Sequence, residues 1–396
     1  MMKKILTVFG TRPEAVKMAP IIQQLAARPS NLRSIVCVTA QHREMLDRVL
    51  DLFSIIPDYD LNIMSENQNL FDVTSRAMKG IHGVIIKENP NLVLVQGDTT
   101  TALAASLASY YLKIPIGHVE AGLRTHDKYN PFPEEKNRHL VGVLADYHFA
   151  PTEWAKSNLL KENISPDRIW VTGNTVIDAL LSIARLQETS EIEKKWCEYF
   201  KRTWGLNLSG QQNKIILVTG HRRESFGKGF KNICLALATI AERFPEIKIV
   251  YPVHLNPNVQ KPVSEILGTI RPSEAFENQL QGSKNLYLTQ PLDYEPFVFL
   301  MKKAYLILTD SGGVQEEGPT LGKPVLVMRE TTERPEGVEA GTSRLVGTKT
   351  GKIVTAVCDL MGDSALYRKM AKVNNPYGDG KAAERIVDTL LQSKVL

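Results

Sequence analysis

Apolar and polar positions alternate in short blocks along the whole chain. Six runs rich in β-branched residues, "KKILTVF", "RSIVCVTA", "NLVLVQGD", "KIPIGHVE", "YHFAPT" and "RIWVTGN", read as strands. Amphipathic stretches such as "PEAVKMAPIIQQLAA", "TTALAASLASYYL" and "EWAKSNLLKEN" separate them and read as helices. That order predicts parallel strands joined by crossover helices. After "TVIDALLSIARLQETS" the pattern gives way to a polar, helix-prone stretch, "EIEKKWCEYFKRTWGLNLSGQQ". It then resumes with "KIILVTG", "EIKIVYPVH", "NLYLTQP", "YLILTDS", "KPVLVMR" and "SRLVG". The expected fold is α/β, with two doubly wound, Rossmann-like domains facing across a cleft. The boundaries follow: residues 1–180 for the first domain, 181–212 for a helical linker, 213–373 for the second domain, and 374–396 for a closing helix that fits either domain, packing back on the first being one of the two placements. Ligands of such sheets bind beyond the carboxyl ends of the strands, so the cleft is the expected site.

Composition supports two domains and narrows the partners. A chain of 396 residues with a 43% hydrophobic share is long enough for two cores, since single cores rarely grow past ~250 to 300 residues. The net charge of +5, from 48 basic and 43 acidic residues, is small. It is also spread along the chain, which argues against nucleic acid as a partner. Cys37, Cys197, Cys234 and Cys358 lie far apart, with no CxxC or His-rich cluster at metal-ligand spacing, and are expected to be reduced, buried thiols. The early run "ILTVF" is too short for a signal-peptide core, and no stretch approaches the ~18 apolar residues of a membrane span. A soluble, cytoplasmic protein without a membrane partner is expected.

The chemistry-bearing residues cluster at predicted strand ends. In "LILTDSGGVQEEGP" a strand ends at Thr309, and Ser311, Gly312 and Gly313 lead into a helix carrying Glu316 and Glu317. Glycines at a helix start let backbone N–H groups approach an anion, so a diphosphate fits here. Glu317, one turn in, has two acceptor oxygens for a ribose diol. A plain strand-to-helix turn would explain the glycines alone; the combination favours a binding loop. Phe297 in "DYEPFVFLM" is a candidate to stack on a base, although an aromatic at such a position is more often core. "VTGHRRESFGKG" places His221, Arg222 and Arg223 beside the same loop, where donors would stabilise charge on a leaving phosphate oxygen. "GDGKAA" has dinucleotide-fingerprint spacing without a preceding strand, and "GTKTGK" lacks P-loop spacing, so neither supports NAD or ATP.

In the first half, "VFGTRPEAVKMAP" turns at Gly10 and starts a helix near Pro13, which aims Arg12 and Lys17 at the cleft. "VQGDTTTALA" brings Asp98 to a strand end, where an Asp before a helix is also a good N-cap. "HVEAGLRTHDKYNPFPEEKNRHL" carries Glu120 at a strand end and Glu134 in a helix first turn, four residues before Arg138, so that the two can pair. Asp98, Glu120 and Glu134 then come from separate segments at one sheet edge, which suits proton transfer at carbon or at a sugar hydroxyl. Arg138 is a further candidate substrate contact.

These motifs resemble the non-hydrolysing UDP-N-acetylglucosamine 2-epimerases. The resemblance rests on "FGTRPEAVKMAP", "TAQHREML", "QGDTTT", "GHVEAGLRT", "PFPEEKNRH", "TGNTVIDAL", "TGHRRES", "TDSGGVQEEGPTLGKPVLVMRETTERPEGVEAGT" and "NPYGDGKAAERI", spread over nearly the entire chain. It implies a fold of the glycosyltransferase-B type, a homodimer, and interconversion of UDP-GlcNAc and UDP-ManNAc with neither metal nor other cofactor. It implies further that Arg12, Lys17, Asp98, Glu120, Glu134 and His221 line the sugar and diphosphate. Phe297, Ser311, Gly312, Gly313, Glu317 and Arg334 would hold UDP. Gln41, His42 and Arg43 match residues that in some relatives bind a second, activating UDP-GlcNAc. Leu292 departs from relatives that carry a polar residue near the uracil.

The proton on sugar C2 is not next to a carbonyl, so loss of UDP from C1 has to accompany its removal. Anti elimination would give 2-acetamidoglucal, and re-addition of UDP with protonation on the other face would complete the epimerisation. A hydrolysing epimerase, a UDP-sugar glycosyltransferase and a non-catalytic nucleotide-sugar sensor are the competing readings.

Overall fold

The computed structural model of the chain describes residues 2–30, 32–40, 43–65, 68–210, 214–270, 285–372 and 374–393. Two compact units make up the protein: Met1–Leu181 with Tyr377–Leu396, and Ser182–Pro376.

The first unit holds a parallel sheet of β1 (Lys3–Phe9), β2 (Leu32–Val38), β3 (Tyr59–Asp60), β4 (Leu92–Gln96), β5 (Ile116–Val119), β6 (Tyr147–Ala150) and β7 (Ile169–Val171). The strand order is β3-β2-β1-β4-β5-β6-β7. Sequence patterning predicts six of these strands. The seventh, β3, is a two-residue edge strand, too short to carry an alternation of its own. The central strands are apolar on both faces because helices cover both; Ile5, Leu6, Val8 and Phe9 of β1 are fully buried.

The second unit repeats the scheme with β8 (Ile215–Thr219), β9 (Lys248–Pro252), β10 (Leu286–Thr289), β11 (Leu306–Thr309), β12 (Val325–Val327) and β13 (Ser343–Leu345), ordered β10-β9-β8-β11-β12-β13. In both sheets the order reverses beside the first strand, between β1 and β4 and between β8 and β11. This is the Rossmann arrangement, which opens a crevice at the carboxyl ends of those two strands. The fold is of the glycosyltransferase-B type.

The helix Ser190–Trp204, in the stretch expected to link the halves, packs within the second unit. Phe200 stacks on Phe299 with ring centroids 6.2 Å apart, and Trp196 Nε1 donates to Glu295 at 3.2 Å. The closing helix, Ala382–Gln392, belongs to the first unit, where Asp178 from the helix Thr175–Leu186 accepts the backbone N–H groups of Ala382 at 3.2 Å and Ala383 at 2.8 Å. Lys381, at the N-cap itself, supplies no side-chain cap, so a residue two hundred positions earlier does that job. Of the four cysteines expected to be buried, Cys37 and Cys234 are, while Cys197 and Cys358 are only half-buried on helix flanks. No helix among the described residues is long and apolar enough to cross a membrane.

Candidate functional site

The crevice of the first unit is shaped by a buried acid. Glu14 accepts hydrogen bonds from the backbone N–H groups of Gly10 at 3.1 Å and Thr11 at 2.8 Å, and from the Thr99 hydroxyl at 2.7 Å. It thereby ties the turn after β1 to the turn after β4. Burial pushes the Glu14 carboxyl up, against the pull of those donors. Gly10 has to be glycine: a Cβ there would lie 2.0 Å from Thr39 Oγ1. The helix begins at Arg12, half-buried, with Lys17 further along it.

Glu120 follows β5 and is nearly buried. Lys17 Nζ meets its Oε1 at 2.5 Å, Asn174 Nδ2 donates to the same oxygen at 2.9 Å, and Gln96 Nε2 donates to Oε2. Facing three donors, the carboxylate serves as an acceptor at both oxygens. Its backbone sits in the left-handed region, φ 63°, a conformation that non-glycine residues adopt at a cost of roughly 1 kcal/mol or more and that clusters at functional sites.

Asp98 is not the helix cap that its position suggests. Thr99 takes that role, its hydroxyl accepting from Ala102 N at 3.0 Å. Freed from capping, the Asp98 side chain pairs with Arg138, whose Nε donates to Oδ2 at 3.0 Å and whose second nitrogen also reaches it. Arg138 binds Glu135 as well, at 3.1 Å. The expected pairing of Glu134 with Arg138 is therefore replaced by pairs to Asp98 and Glu135, because the helix turns Glu135 inward and Asp98 approaches from β4. Asn137 adds a bond to the Asp98 carbonyl at 2.9 Å, so the first turns of Glu134–Leu144 are docked at the end of β4. Glu134 is held there with its Oε2 buried and without a hydrogen-bond partner among the described residues.

In the second unit the equivalent crevice is closed by Asp310. Its Oδ2 accepts the backbone N–H groups of His221 at 2.7 Å and Arg222 at 2.8 Å, linking the loops after β8 and β11. Ser311 occupies the N-cap of the helix Gly312–Thr320 without using its hydroxyl as a cap. Gly312 lies against Arg334: a Cβ would sit 2.4 Å from the Arg334 Nη1. Arg334 is buried and held by Glu316 and, at 2.7 Å, by Glu333. Glu317 turns back toward Gly313, its Oε1 3.2 Å from where a Cβ there would be, and accepts from the Tyr294 hydroxyl at 3.0 Å. Phe297 is half-buried on the helix Tyr294–Lys303, and Leu292 is buried before it. Burial pushes the Glu333 carboxyl up, but Arg334, Arg222 and Arg329 outweigh it and hold the group far below the usual carboxylate range.

Among the described residues, no group of three or more His, Cys, Asp and Glu side chains is placed to hold a metal ion. Gln41 and His42 lie outside the described residues. Arg43 opens the helix Arg43–Leu52 and pairs with Asp60 at 2.5 Å and Asp47 at 3.1 Å.

The sequence profile of UDP-N-acetylglucosamine 2-epimerase matches residues 23–391. The chain belongs to that family. It is 54% identical over 393 residues to the UDP-N-acetylglucosamine 2-epimerase of Escherichia coli K12, a match covering 99% of each chain. Its fold is similar to that of UDP-GlcNAc 2-epimerase from Neisseria meningitidis, solved bound to UDP-GlcNAc. The two are 50% identical with a TM-score of 0.90, over 98% of this chain and 100% of that one. Staphylococcus aureus MnaA, solved with UDP, is similar at 48% identity and a TM-score of 0.84, over 98% and 96% of the two chains.

In this member of the family, several residues that organise the site escape sequence reasoning. Gln96 and Asn174 look like a strand residue and a turn residue, and only the fold shows that both donate to Glu120. Glu14 reads as a first-turn acid and Asp310 as part of a strand-to-helix turn. The one available signal is position, since Gln96 and Asp310 each lie within two residues of a predicted site residue at a strand end.

Proposed function

We propose that the protein reversibly epimerises UDP-N-acetylglucosamine at C2 to UDP-N-acetylmannosamine, through elimination and re-addition of UDP. The observation that carries the reading is the set of three carboxylates gathered at the carboxyl edge of one Rossmann-like sheet, Glu134 among them with a buried oxygen that has no partner among the described residues. The family membership supports the choice of substrate.

In the forward direction a carboxylate removes the C2 proton while the C1–oxygen bond breaks and its electron pair leaves with the UDP phosphate. The product pair is 2-acetamidoglucal and UDP. Return of the same phosphate oxygen to C1, with a proton delivered to the opposite face of C2, gives the epimer. Asp98, Glu120 and Glu134 are the acid and base candidates, each worth about 10² to 10⁴ in rate. Glu134 offers a buried Oε2 that has no hydrogen-bond partner among the described residues to displace before it takes or gives a proton. Arg12, Lys17 and Arg138 hold charge around the sugar and diphosphate. In the second unit, Ser311, Gly312 and Gly313 offer the helix start to the diphosphate, with Arg334 bracing that turn. Glu317 suits the ribose diol, Phe297 the base, and His221 the leaving phosphate oxygen.

The test is an NMR time course of UDP-GlcNAc in D2O. Deuterium at C2 of both UDP-sugars, with UDP still attached, is the expected result. Release of free ManNAc and UDP would assign the hydrolysing reaction instead, and transfer to an added acceptor without exchange at C2 would make the protein a glycosyltransferase.

A further inference from the structure

Asp310 is completely buried at the end of β11, and its two carboxylate oxygens are unequally employed. Oδ2 takes the two backbone N–H groups of His221 and Arg222. Oδ1 is also buried and completes no hydrogen bond among the described residues, yet it faces Nδ1 of His221 at 3.3 Å. Hydrogen bonds of reacting groups are often long in the free protein and tighten when substrate is bound. The His221 ring is also stacked on His254, with centroids 5.4 Å apart and planes 16° from parallel. His254 itself accepts the Asn256 backbone N–H on Nδ1 at 3.1 Å, which places its own proton on Nε2. Carboxylate and stacked ring together fix both the tilt and the rotation of the His221 imidazole.

We propose that Asp310 is a positioning residue for His221: it keeps Nδ1 as the N–H, so that Nε2 is the nitrogen offered to the diphosphate of a nucleotide sugar and is free to carry a second proton there. The inference rests on the reading that His221 meets that diphosphate. The charged and titratable groups around the ring are Asp310 from β11, His254 and the Tyr251 hydroxyl from β9 and its loop, and Arg222 and Arg223 from its own loop, with Glu333 paired to Arg222 at 3.2 Å. Burial opposes ionisation of Asp310, but the close His221 ring with its charge and the backbone N–H groups of His221 and Arg222 hold its carboxyl below the ordinary value. Burial and the neighbouring His221 lower His254, which keeps that ring neutral in the stack.

The decisive experiment substitutes Asp310→Asn in the full chain. The amide oxygen still accepts from His221 and Arg222 N–H, whereas the amide nitrogen donates to Nδ1 and forces the proton onto Nε2. In the serine-protease triad the same exchange leaves the geometry intact and lowers kcat about 10⁴-fold. The expected result here is a kcat at least ~100-fold lower, a KM within about threefold of wild type, and an alkaline limb displaced to lower pH. Histidine-selective 15N spectra, with the His221 signals assigned through His221→Gln, should show Nδ1–H in the wild type and Nε2–H in the variant. A wild-type His221 protonated at Nε2 alone would overturn the proposal, even if the variant does not fold. An unshifted pH profile in a folded variant would overturn it too, because a purely structural role lowers activity evenly. A wild type with the expected tautomer but no turnover of UDP-GlcNAc would count against the epimerase reading and leave the positioning role standing.

Discussion

Glu134 and Glu135 are adjacent in one helical turn and have opposite surroundings. Glu135 accepts from the backbone N–H groups of Thr125 and His126 and from Arg138, with distances of 3.1 to 3.2 Å, while Glu134 Oε2 is buried with no partner among the described residues. Glu135 is tied into the loop before its helix, and Glu134 Oε2 is not.

Glu134→Gln should therefore lower kcat by about 10² to 10⁴ and leave Tm within a few degrees of wild type. Glu135→Leu should do the reverse in kind, costing about 3 kcal/mol because it leaves two backbone donors and one Arg138 nitrogen without their acceptor while Arg138 keeps Asp98. Steady-state kinetics and thermal denaturation of both variants check the contrast. A Glu134→Gln enzyme with full activity would remove Glu134 from the mechanism.

Lys17 and Glu120 form a nearly buried ion pair, with side-chain exposures of 13% and 6%. Breaking such a pair from one side leaves an uncompensated charge, so Lys17→Met should destabilise by about 3 kcal/mol. Adding Glu120→Gln should return part of that stability and none of the activity. Urea denaturation of the two single variants and the double variant measures the coupling.

Gly312→Ala introduces a Cβ at 2.4 Å from an arginine nitrogen. Arg334 cannot retreat without leaving Glu316 and Glu333, so the helix start has to move instead. UDP affinity should fall about tenfold or more by calorimetry, with a stability loss of about 1 to 3 kcal/mol. Unchanged UDP binding would show that the helix start does not hold the nucleotide.

Burial holds His118 down to about 3 and His148 down to about 4. The unfolded chain takes up protons near pH 6.5 that these folded imidazoles refuse, so the unfolded state binds more protons in between. Their contribution to stability is complete above pH 6.5 and is lost as pH falls toward 3 to 4, at up to about 1.4 kcal/mol per pH unit for each group. Tm should already decline between pH 6.5 and 5, and His118→Gln should flatten that decline. A wild-type Tm constant over that interval would contradict it.

The sheets were legible because doubly wound strands are short, apolar and evenly punctuated, and β3 was missed because two residues carry no period. The placement of the candidate residues was legible wherever a polar residue stands just past such a strand, as Asp98, Glu120, His221 and Ser311 do after β4, β5, β8 and β11. Pairing was not. Asp98 looked like a cap and Glu134 like the partner of Arg138, because sequence reasoning favours neighbours along the chain. In the structure Arg138 instead reaches Asp98, forty positions earlier. The charges of Arg124 and Glu135 likewise resemble site residues in sequence. Arg124 is spent on Glu162, with two contacts of 2.7 Å, and Glu135 on its own loop.

The cap that Asp178 supplies to Ala382–Gln392 gives the protein an order of completion. Ser182–Pro376 is one unbroken piece of chain and has all its residues as soon as it leaves the ribosome. The earlier-made unit must wait for Tyr377–Leu396 to be translated, since the helix Ala382–Gln392 packs on Arg12–Ala26, whose side stays uncovered until then, and Asp178 lacks the N–H groups it serves. The part of the protein that emerges first is thus the last to be finished.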